Sequence, residues 1–339
     1  MVLREKLPLL ITGIAGVAGY NAFQYFRRKF PGQVFGLRPD NNWRLNGEGV
    51  LAGDLEDFSK LSRFFQEYRF RSVLHCGGSC ALKSCELDPI MAHRVNVMAV
   101  DSLLSSMEQS AIAKMDQRLV FLSIDLVFSG FGGGDYRETD SPDPVTIYGK
   151  TMVQGEKLVG ARFPGATILR ISLPMGVSFN GHAGAVDWIA SRFKKRFPAT
   201  LYYDEIRTPT YVDCLNQVAE HFLNGDLAGL FHAGGPRKLS LFEIAQVVNL
   251  VGGYRPCDLK GCYRLEAGPV PPRAGNVSMN SEKLGNELGR EPFLPWPLDS
   301  KLVPEGRFWH EEMASGPKYS EHFEESKIER LLYQPNRIG

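Results

Sequence analysis

The stretch ITGIAGVAGYNAF, residues 11–23, decides the fold, because it places three glycines between an apolar run and a helical pattern. Gly13 suits a tight turn after a strand, Gly16 lets the backbone approach a phosphate, and Gly19 allows the helix to pack closely on a sheet. The first amides of such a helix have no acceptors within it and lie at its positive end. The spacing therefore predicts a pyrophosphate-binding turn that includes Val17 and Ala18, with a purely structural glycine turn as the alternative.

Outward from this turn, the first 180 or so residues alternate short apolar runs with helical patterns. This rhythm predicts a parallel sheet with helices on both faces. One long helix is expected over residues 88–111, a short strand over 229–235, and a capping box from Ser240 to Glu243 at the start of another helix. We expect an α/β protein, a Rossmann-like doubly wound parallel sheet with a smaller C-terminal substrate lobe. The expected parts are a nucleotide-binding domain at 1–178 (with returning segments from later residues), a mixed α/β lobe at 179–295, and a C-terminal arm or tail at 296–339.

The composition argues against several classes of protein. The chain has 339 residues and balances 39 Lys and Arg against 38 Asp and Glu, so its net charge of +1 indicates neither a nucleic acid nor a membrane as partner. The sequence has no apolar run of membrane-spanning length and no signal-peptide pattern, so we expect a cytoplasmic protein. In that compartment the six cysteines are expected to be thiols. The spacing of Cys76, Cys80 and Cys85 matches no standard zinc motif, and no metal is expected.

The end of the second predicted strand bears on the choice of cofactor. An acidic side chain there holds the ribose 2′-hydroxyl of NAD, whereas an arginine accommodates the 2′-phosphate of NADP. The strand ends in FGLRPDNNWR, which supplies Arg38, although Asp40 follows two residues later. We favour NADP over NAD, with a plain surface arginine as the alternative. Asp54 and Leu55, in the following LAGDLED, are expected to bracket the adenine.

A second informative stretch is TIYGKTMVQGEKLV, residues 146–159. Its tyrosine, Tyr148, is expected to bind the cofactor at the nicotinamide and is a candidate general acid for hydride-transfer chemistry. One helical turn later, where such a site needs a lysine, the chain has Met152. Lys150 is two residues from Tyr148, roughly 200° round a helix, so the two side chains are not expected to face the same ligand.

Together these pieces resemble the extended short-chain dehydrogenase/reductase family, in the branch of dTDP-4-dehydrorhamnose reductase and the methionine adenosyltransferase β subunit. The resemblance runs from Gly13 to about residue 290. It rests on the segments TGIAGVAG, GDLED, VLHCGGS, RVNVMAV, LSIDLVFSG, YRETDSPDPVTIYGKTMVQGEK, RTPTYVDCL and FHAGG. It implies a Rossmann domain with a C-terminal lobe for a sugar-nucleotide-like substrate.

The family's reduction uses three side chains, and the resemblance assigns a position to each. A tyrosine delivers the proton, a lysine four residues later holds the nicotinamide ribose, and a Ser or Thr steadies the carbonyl oxygen. These positions fall on Tyr148, Met152 and Ile124, so only the first group is retained. Ser123 precedes Ile124, but neighbours in a strand point to opposite faces.

Other positions follow from the same resemblance. Cys76, Gly77 and Gly78 are expected beside the cofactor ribose, and Asn96 in a supporting helix. The substrate-binding candidates are Asp125, Arg207 and Arg273; for Arg207 and Arg273 a structural ion pair is the alternative.

Two functions remain open at this stage. One is an NADP(H)-dependent reductase of a sugar-nucleotide-like carbonyl, in which Tyr148 works with other groups such as Asp125, His182 or the substrate itself. The other is a catalytically silent nucleotide-binding subunit that regulates or scaffolds a partner enzyme. A homodimer is a further possibility for the assembly.

Overall fold

The computed structural model describes residues 5–181, 184–315 and 332–333. Within them, seven parallel strands form one sheet in the order β11-β6-β5-β4-β1-β2-β3. The direction of the strand order reverses between β1 and β4, and in sheets of this kind ligands bind beyond the carboxyl ends of the strands at that point. The strands are β1 (Leu9–Thr12), β2 (Val34–Arg38), β3 (Val50–Ala52), β4 (Ser72–His75), β5 (Arg118–Ile124), β6 (Thr167–Ile171) and β11 (Gly229–Ala233).

Helices cover both faces of this sheet, as the alternating pattern predicts. α1 and α8 contact each other on one face, whereas α2, α5 and α6 pack against one another on the other face. Their apolar sides are buried; Phe23 and Phe26 of α1, for example, are 1% and 0% exposed. The helices are α1 (Val17–Lys29), α2 (Phe58–Tyr68), α3 (Leu82–Leu87), α4 (Pro89–His93), α5 (Ala99–Glu108), α6 (Ile147–Arg162) and α8 (Val212–Asn224).

The prediction of one continuous helix over residues 88–111 is wrong, because the helix is interrupted. A π-helical turn, Arg94–Met98, separates α4 from α5. Such turns add a residue to the helical ladder and occur mostly at functional sites. This one carries the buried Asn96, whose side chain joins two parts of the site described below. Sequence periodicity misses it because the apolar pattern continues on either side.

Two strands of the main sheet differ from what the sequence predicts. The strand expected at 229–235 is β11, which pairs in parallel with β6 at the edge of the main sheet. β11 thus belongs to the main sheet, although it lies late in the chain. The short β3 was not recognised, because only three residues are extended.

The remaining elements form smaller pairs above the carboxyl ends of the main strands. β7 (Pro174–Met175) pairs with β10 (Thr210–Tyr211), β8 (Ala199–Tyr202) with β13 (Leu259–Cys262), and β9 (Ile206–Arg207) with β12 (Leu239–Ser240). The helices here are α7 (Ala185–Lys194), α9 (Leu241–Val251), α10 (Glu282–Leu288) and α11 (Trp309–Ala314). The capping box at the start of α9 is confirmed, since Ser240 and Glu243 exchange hydrogen bonds of 3.1 and 2.6 Å. Across the described ranges, no helix is both long and apolar enough to cross a membrane.

Candidate nucleotide-binding and active site

The turn between β1 and α1 brings the three glycines into different environments. Gly13 has φ +67°, and a Cβ there would lie 2.4 Å from the carbonyl oxygen of Cys76. A Cβ at Gly19 would lie 2.3 Å from the carbonyl oxygen of Gly13, so both residues must be glycine for the turn to close. A Cβ at Gly16 would meet only the carbonyl oxygen of Gly13, at 3.5 Å. Gly16 is therefore not required by packing, and a side chain there would enter the space in front of the helix.

The start of α1 has the electrostatics that a phosphate needs. Gly16 is the N-cap residue, and the first turn carries no acidic side chain. The amides of Val17, Ala18 and Gly19 belong to the first turn, whose N–H groups lack acceptors within a helix. The loop that contains Val177 lies beside this turn, since Asn21 donates hydrogen bonds to the carbonyl oxygens of Val17 and Val177 at 2.8 and 2.7 Å. These features fit the pyrophosphate of a dinucleotide.

At the end of β2, Arg38 and the acidic residues near it are already engaged with one another. The Arg38 guanidinium donates to the backbone carbonyls of Leu45, Pro39 and Asp40 at 2.7, 2.9 and 3.0 Å. The Asp40 amide donates to the Asp54 carboxylate at 3.2 Å. The predicted adenosine-site residues Arg38 and Asp54 thus lie at one place, on either side of Asp40.

The residues at and just after the end of β4 pack against this region. Gly77 is in close contact with Leu55, whose Cδ1 would lie 2.5 Å from a Cβ at that position. The neighbouring thiol, Cys76, is partly buried, and burial raises its pKa above the ordinary value for cysteine. His75, just inside the sheet, bonds to Thr12 Oγ1 at 2.9 Å, and burial lowers its pKa to about 4. The segments that follow β1, β3 and β4 therefore lie next to one another, through the close approach of Gly13 to Cys76 and of Gly77 to Leu55.

Asn96 connects the loop after β4 to the helix that carries Tyr148. Its Oδ1 accepts the Ser79 amide at 2.7 Å, next to Gly78, where φ is +142°. Its Nδ2 donates to Thr151 Oγ1 at 2.9 Å, and the Thr151 hydroxyl donates to the Tyr148 carbonyl oxygen at 2.8 Å. The π-helical turn therefore links the loop after β4 to the helix that carries Tyr148.

Tyr148 is buried with apolar neighbours in place of the usual catalytic partners. The exposed fractions of Tyr148, Met152 and Ile124 are 8%, 4% and 9%. Lys150 is exposed, on the other side of α6, as the helical angle predicts. The Ser123 hydroxyl donates to Glu156 at 2.5 Å on a different side of strand β5 and does not replace the missing hydroxyl.

The charges around Tyr148 keep its phenol protonated. Burial raises the pKa of Tyr148 well above the ordinary value, and the Asp125 carboxylate raises it further while the Arg207 guanidinium lowers it. Asp125 accepts two hydrogen bonds from Arg207, at 2.5 and 2.6 Å, and a third from Ser172 at 2.6 Å. Because Arg207 is paired in this way, its effect on the Tyr148 pKa is opposed by that of Asp125.

The three predicted substrate-binding residues belong to one chain of ion pairs. From the Asp125–Arg207 pair it continues to Glu205, 3.8 Å from Arg207, and then to Arg273, which donates to Glu205 at 2.8 Å. Asp125, Arg207 and Glu205 are buried, whereas the Arg273 side chain is 16% exposed and lies over the Tyr202 ring. The structural ion pair weighed for Arg207 from the sequence is thus present, and Arg273 is the member nearest to solvent.

Several residues of the site gave no recognisable signal in the sequence. Glu205, Ser172 and Thr151 are ordinary polar residues whose partners are distant in the chain. Lys60 is a basic residue within a helical pattern, which by itself gives no functional signal. His182, considered as an alternative catalytic group, lies outside the described residues. In the described part of the chain, no three potential ligands converge on a metal site, and Cys76, Cys80 and Cys85 are free thiols.

The seven-stranded fold, the glycine turn and the tyrosine in YGKT define an extended short-chain dehydrogenase/reductase. The chain belongs to the family described as the RmlD substrate binding domain, which matches residues 8–297.

Two curated relatives illustrate the range of the family. Methionine adenosyltransferase 2 subunit beta of Bos taurus is 27% identical over 289 residues, which cover 76% of this chain and 81% of that protein. The probable low-salt glycan biosynthesis reductase Agl14 of Haloferax volcanii is 26% identical over 203 residues, covering 59% of this chain and 66% of its own length.

Solved structures share the fold. The dTDP-4-dehydrorhamnose reductase of Bacillus anthracis, in complex with NADP, superposes with a TM-score of 0.68 at 21% identity, over 85% of this chain and 95% of that one. The UDP-glucose 4-epimerase of Thermus thermophilus, complexed with NAD, gives a TM-score of 0.69 at 21% identity, over 91% and 99%.

Proposed function

We propose that the protein binds NADP(H) and has lost the family's reduction, so that it works as a nucleotide-binding regulatory subunit of a partner enzyme. The observation that carries this proposal is the surroundings of Tyr148. Its lysine and hydroxyl partners are replaced by the buried Met152 and Ile124. The proposal places the protein in the cytoplasm, where its six thiols stay reduced.

The electrostatics of the cleft support a binding role over a catalytic one. Delivering a proton requires a phenol whose pKa is near the working pH, and a lysine ordinarily provides that adjustment. Here burial raises the Tyr148 pKa, and Arg207 shares its charge with Asp125. Tyr148 can still donate a hydrogen bond to a bound ligand, but the loss of two catalytic groups lowers transition-state stabilisation by several kcal/mol, at about 1.4 per factor of ten.

The nucleotide end of the cleft is intact by contrast. Gly13 and Gly19 are required for the turn, and Gly16 leaves the approach to the first turn of α1 open. When bound, NADPH would supply a hydride; in this chain the turn would hold its pyrophosphate. The chain thus keeps the glycine turn while the surroundings of Tyr148 are altered. This combination suits a protein for which the nucleotide is a signal or a structural ligand. The relatives named as subunits of methionine adenosyltransferase 2 make a partner enzyme the natural context.

A second candidate, an atypical reductase of a sugar-nucleotide-like carbonyl, is favoured by one specific observation. The chain of ion pairs runs from the buried Asp125, whose charge acts on the Tyr148 phenol, to the partly exposed Arg273. Arg273 could exchange Glu205 for a ligand phosphate, and Tyr148 would then donate to the substrate carbonyl.

The two functions separate in one set of measurements on the purified protein. Titration calorimetry with NADPH should give a binding isotherm, while loss of NADPH absorbance with a dTDP-4-keto-6-deoxy sugar should stay at the rate without enzyme. Tyr148→Phe is the matched control and should bind NADPH as well as the unaltered protein does. Steady turnover that disappears in Tyr148→Phe would contradict the regulatory proposal and establish the reductase.

A partner is tested separately by adding the catalytic subunit of the same organism's methionine adenosyltransferase. Complex formation by analytical ultracentrifugation, with an affinity that changes when NADPH is present, is the expected result. If no complex forms at micromolar concentrations, this choice of partner is wrong.

A further inference from the structure

Beside the end of β2 lies a cation other than Arg38, Lys60, which is held by a partly exposed ion pair. Arg38 uses Nε and Nη1 on the carbonyl oxygens of Leu45, Pro39 and Asp40. These bonds fold the segment after β2 back onto the strand end. Breaking them would release three backbone carbonyls, so the guanidinium is committed to the shape of this segment.

Lys60, in the first turn of α2, is in a different situation. Its Nζ lies 2.9 and 3.0 Å from the two carboxylate oxygens of Asp40. The pair is open to solvent, with 27% of the Lys60 side chain and 51% of the Asp40 side chain exposed. An exposed pair of this kind contributes little to stability, so Lys60 can exchange Asp40 for another anion at low cost.

The position of Asp40 makes this exchange relevant to cofactor choice. An acidic side chain at this end of β2 ordinarily accepts the ribose 2′-hydroxyl of NAD. Asp40 is held by Lys60 instead, and its backbone amide is fixed on Asp54, the residue expected beside the adenine. A ribose 2′-phosphate carries a charge of about −1.5 to −2 and offers more acceptor oxygens than a carboxylate, so it competes well for an ammonium group.

We propose that Lys60 is the residue that selects NADP(H), by leaving Asp40 and pairing with the 2′-phosphate, while Arg38 shapes the segment around it. The inference rests on the proposed binding of NADP(H) and adds the residue responsible for specificity. Without a 2′-phosphate, Lys60 stays on Asp40, and NAD(H) meets an acid that is already neutralised. Specificity for the cofactor then depends on two elements, since Arg38 belongs to β2 and Lys60, 22 residues later, belongs to α2.

Titration calorimetry on the full chain tests the proposal with four probes: NADPH, NADH, adenosine 2′,5′-bisphosphate and adenosine 5′-monophosphate. Lys60→Met should weaken NADPH and the bisphosphate by at least roughly tenfold, because a charge-assisted contact is lost. NADH and the monophosphate should change by less than about twofold. Lys157→Met, an exposed lysine on α6, is the control for loss of one positive charge and should change neither class.

Two further variants make the assignment specific. Arg38→Met should weaken NADPH and NADH together, because the whole adenosine end loses its shape. Asp40→Asn should strengthen NADPH binding severalfold, because it removes both the competitor for Lys60 and a repelling charge. An unchanged NADPH-to-NADH ratio in Lys60→Met, or its loss in Arg38→Met alone, would overturn the proposal. If the unaltered protein binds neither dinucleotide, it is the proposed function that fails.

Discussion

Replacing Met152 by lysine and Ile124 by threonine in one variant tests whether the cleft beside Tyr148 is a reductase site that has lost two groups. Both residues are buried, at 4% and 9% exposure. Lysine is about as long as methionine, and threonine keeps the β-branch of isoleucine, so the change in packing is small. The double variant restores an ammonium and a hydroxyl at the spacing of active family members.

The size of the effect follows from the charges near the phenol. Burial raises the pKa of Tyr148 well above the ordinary value, and Asp125 adds to this rise. An ammonium about 5 Å from the phenol oxygen would stabilise the phenolate by about 3 kcal/mol at an effective dielectric constant near 20, which lowers the pKa by roughly two units. Since general acid catalysis contributes about 10²–10⁴-fold, we expect the double variant to be faster than the unaltered protein by at least roughly 10²-fold.

The assay is single-turnover and steady-state loss of NADPH absorbance with a dTDP-4-keto-6-deoxy sugar. Adding Tyr148→Phe to the double variant should remove the gain, and Met152→Leu alone should produce none. A buried ammonium carries a desolvation penalty, so thermal unfolding must show that the variant is folded at the assay temperature. If a folded variant gains nothing, or if the unaltered protein is active and the double variant loses that activity, the reasoning is refuted.

Three other outcomes can be measured on single variants. Gly16→Val should abolish NADPH binding in calorimetry and leave the melting temperature nearly unchanged, whereas Gly19→Ala should lower that temperature, since its Cβ would lie 2.3 Å from a backbone oxygen. A Gly16→Val protein that still binds NADPH would argue against the turn as the phosphate site. The folded-state pKa of His75, about 4, is below its ordinary 6.5, so its contribution to stability is complete above pH 6.5 and is lost as the pH falls towards 4. Between pH 7 and 5 this loss of unfolding free energy amounts to about 2 kcal/mol. It should be absent in His75→Asn, which urea unfolding at both pH values measures. Glu205→Gln should lower the free energy of unfolding by about 3 kcal/mol, because Arg207 and Arg273 lose a buried counter-ion; a change under about 1 kcal/mol in urea unfolding would mean that the pairing is not needed.

The local sequence determined the fold class and the geometry of the glycine turn after β1. Apolar runs alternating with helical patterns predict a parallel sheet with helices on both faces, and the seven-stranded parallel sheet confirms this fold class. The roles of Gly13 and Gly19 could be assigned because a tight turn and a close helix–strand contact depend on residues within one short segment. The substitution at Met152 was equally visible, since one helical turn separates it from Tyr148.

The tertiary structure alone decided which side chains meet. Asp125 and Arg207 are 82 residues apart, and they pair because the fold brings the end of β5 next to β9. Asn96 reaches both Ser79 and Thr151 through a π-helical turn that hydrophobic periodicity does not record. Lys60 meets Asp40 only because α2 begins beside the end of β2. Periodicity and turn chemistry act within a few residues, whereas these contacts depend on strand order and helix placement, which the packing of the whole chain sets.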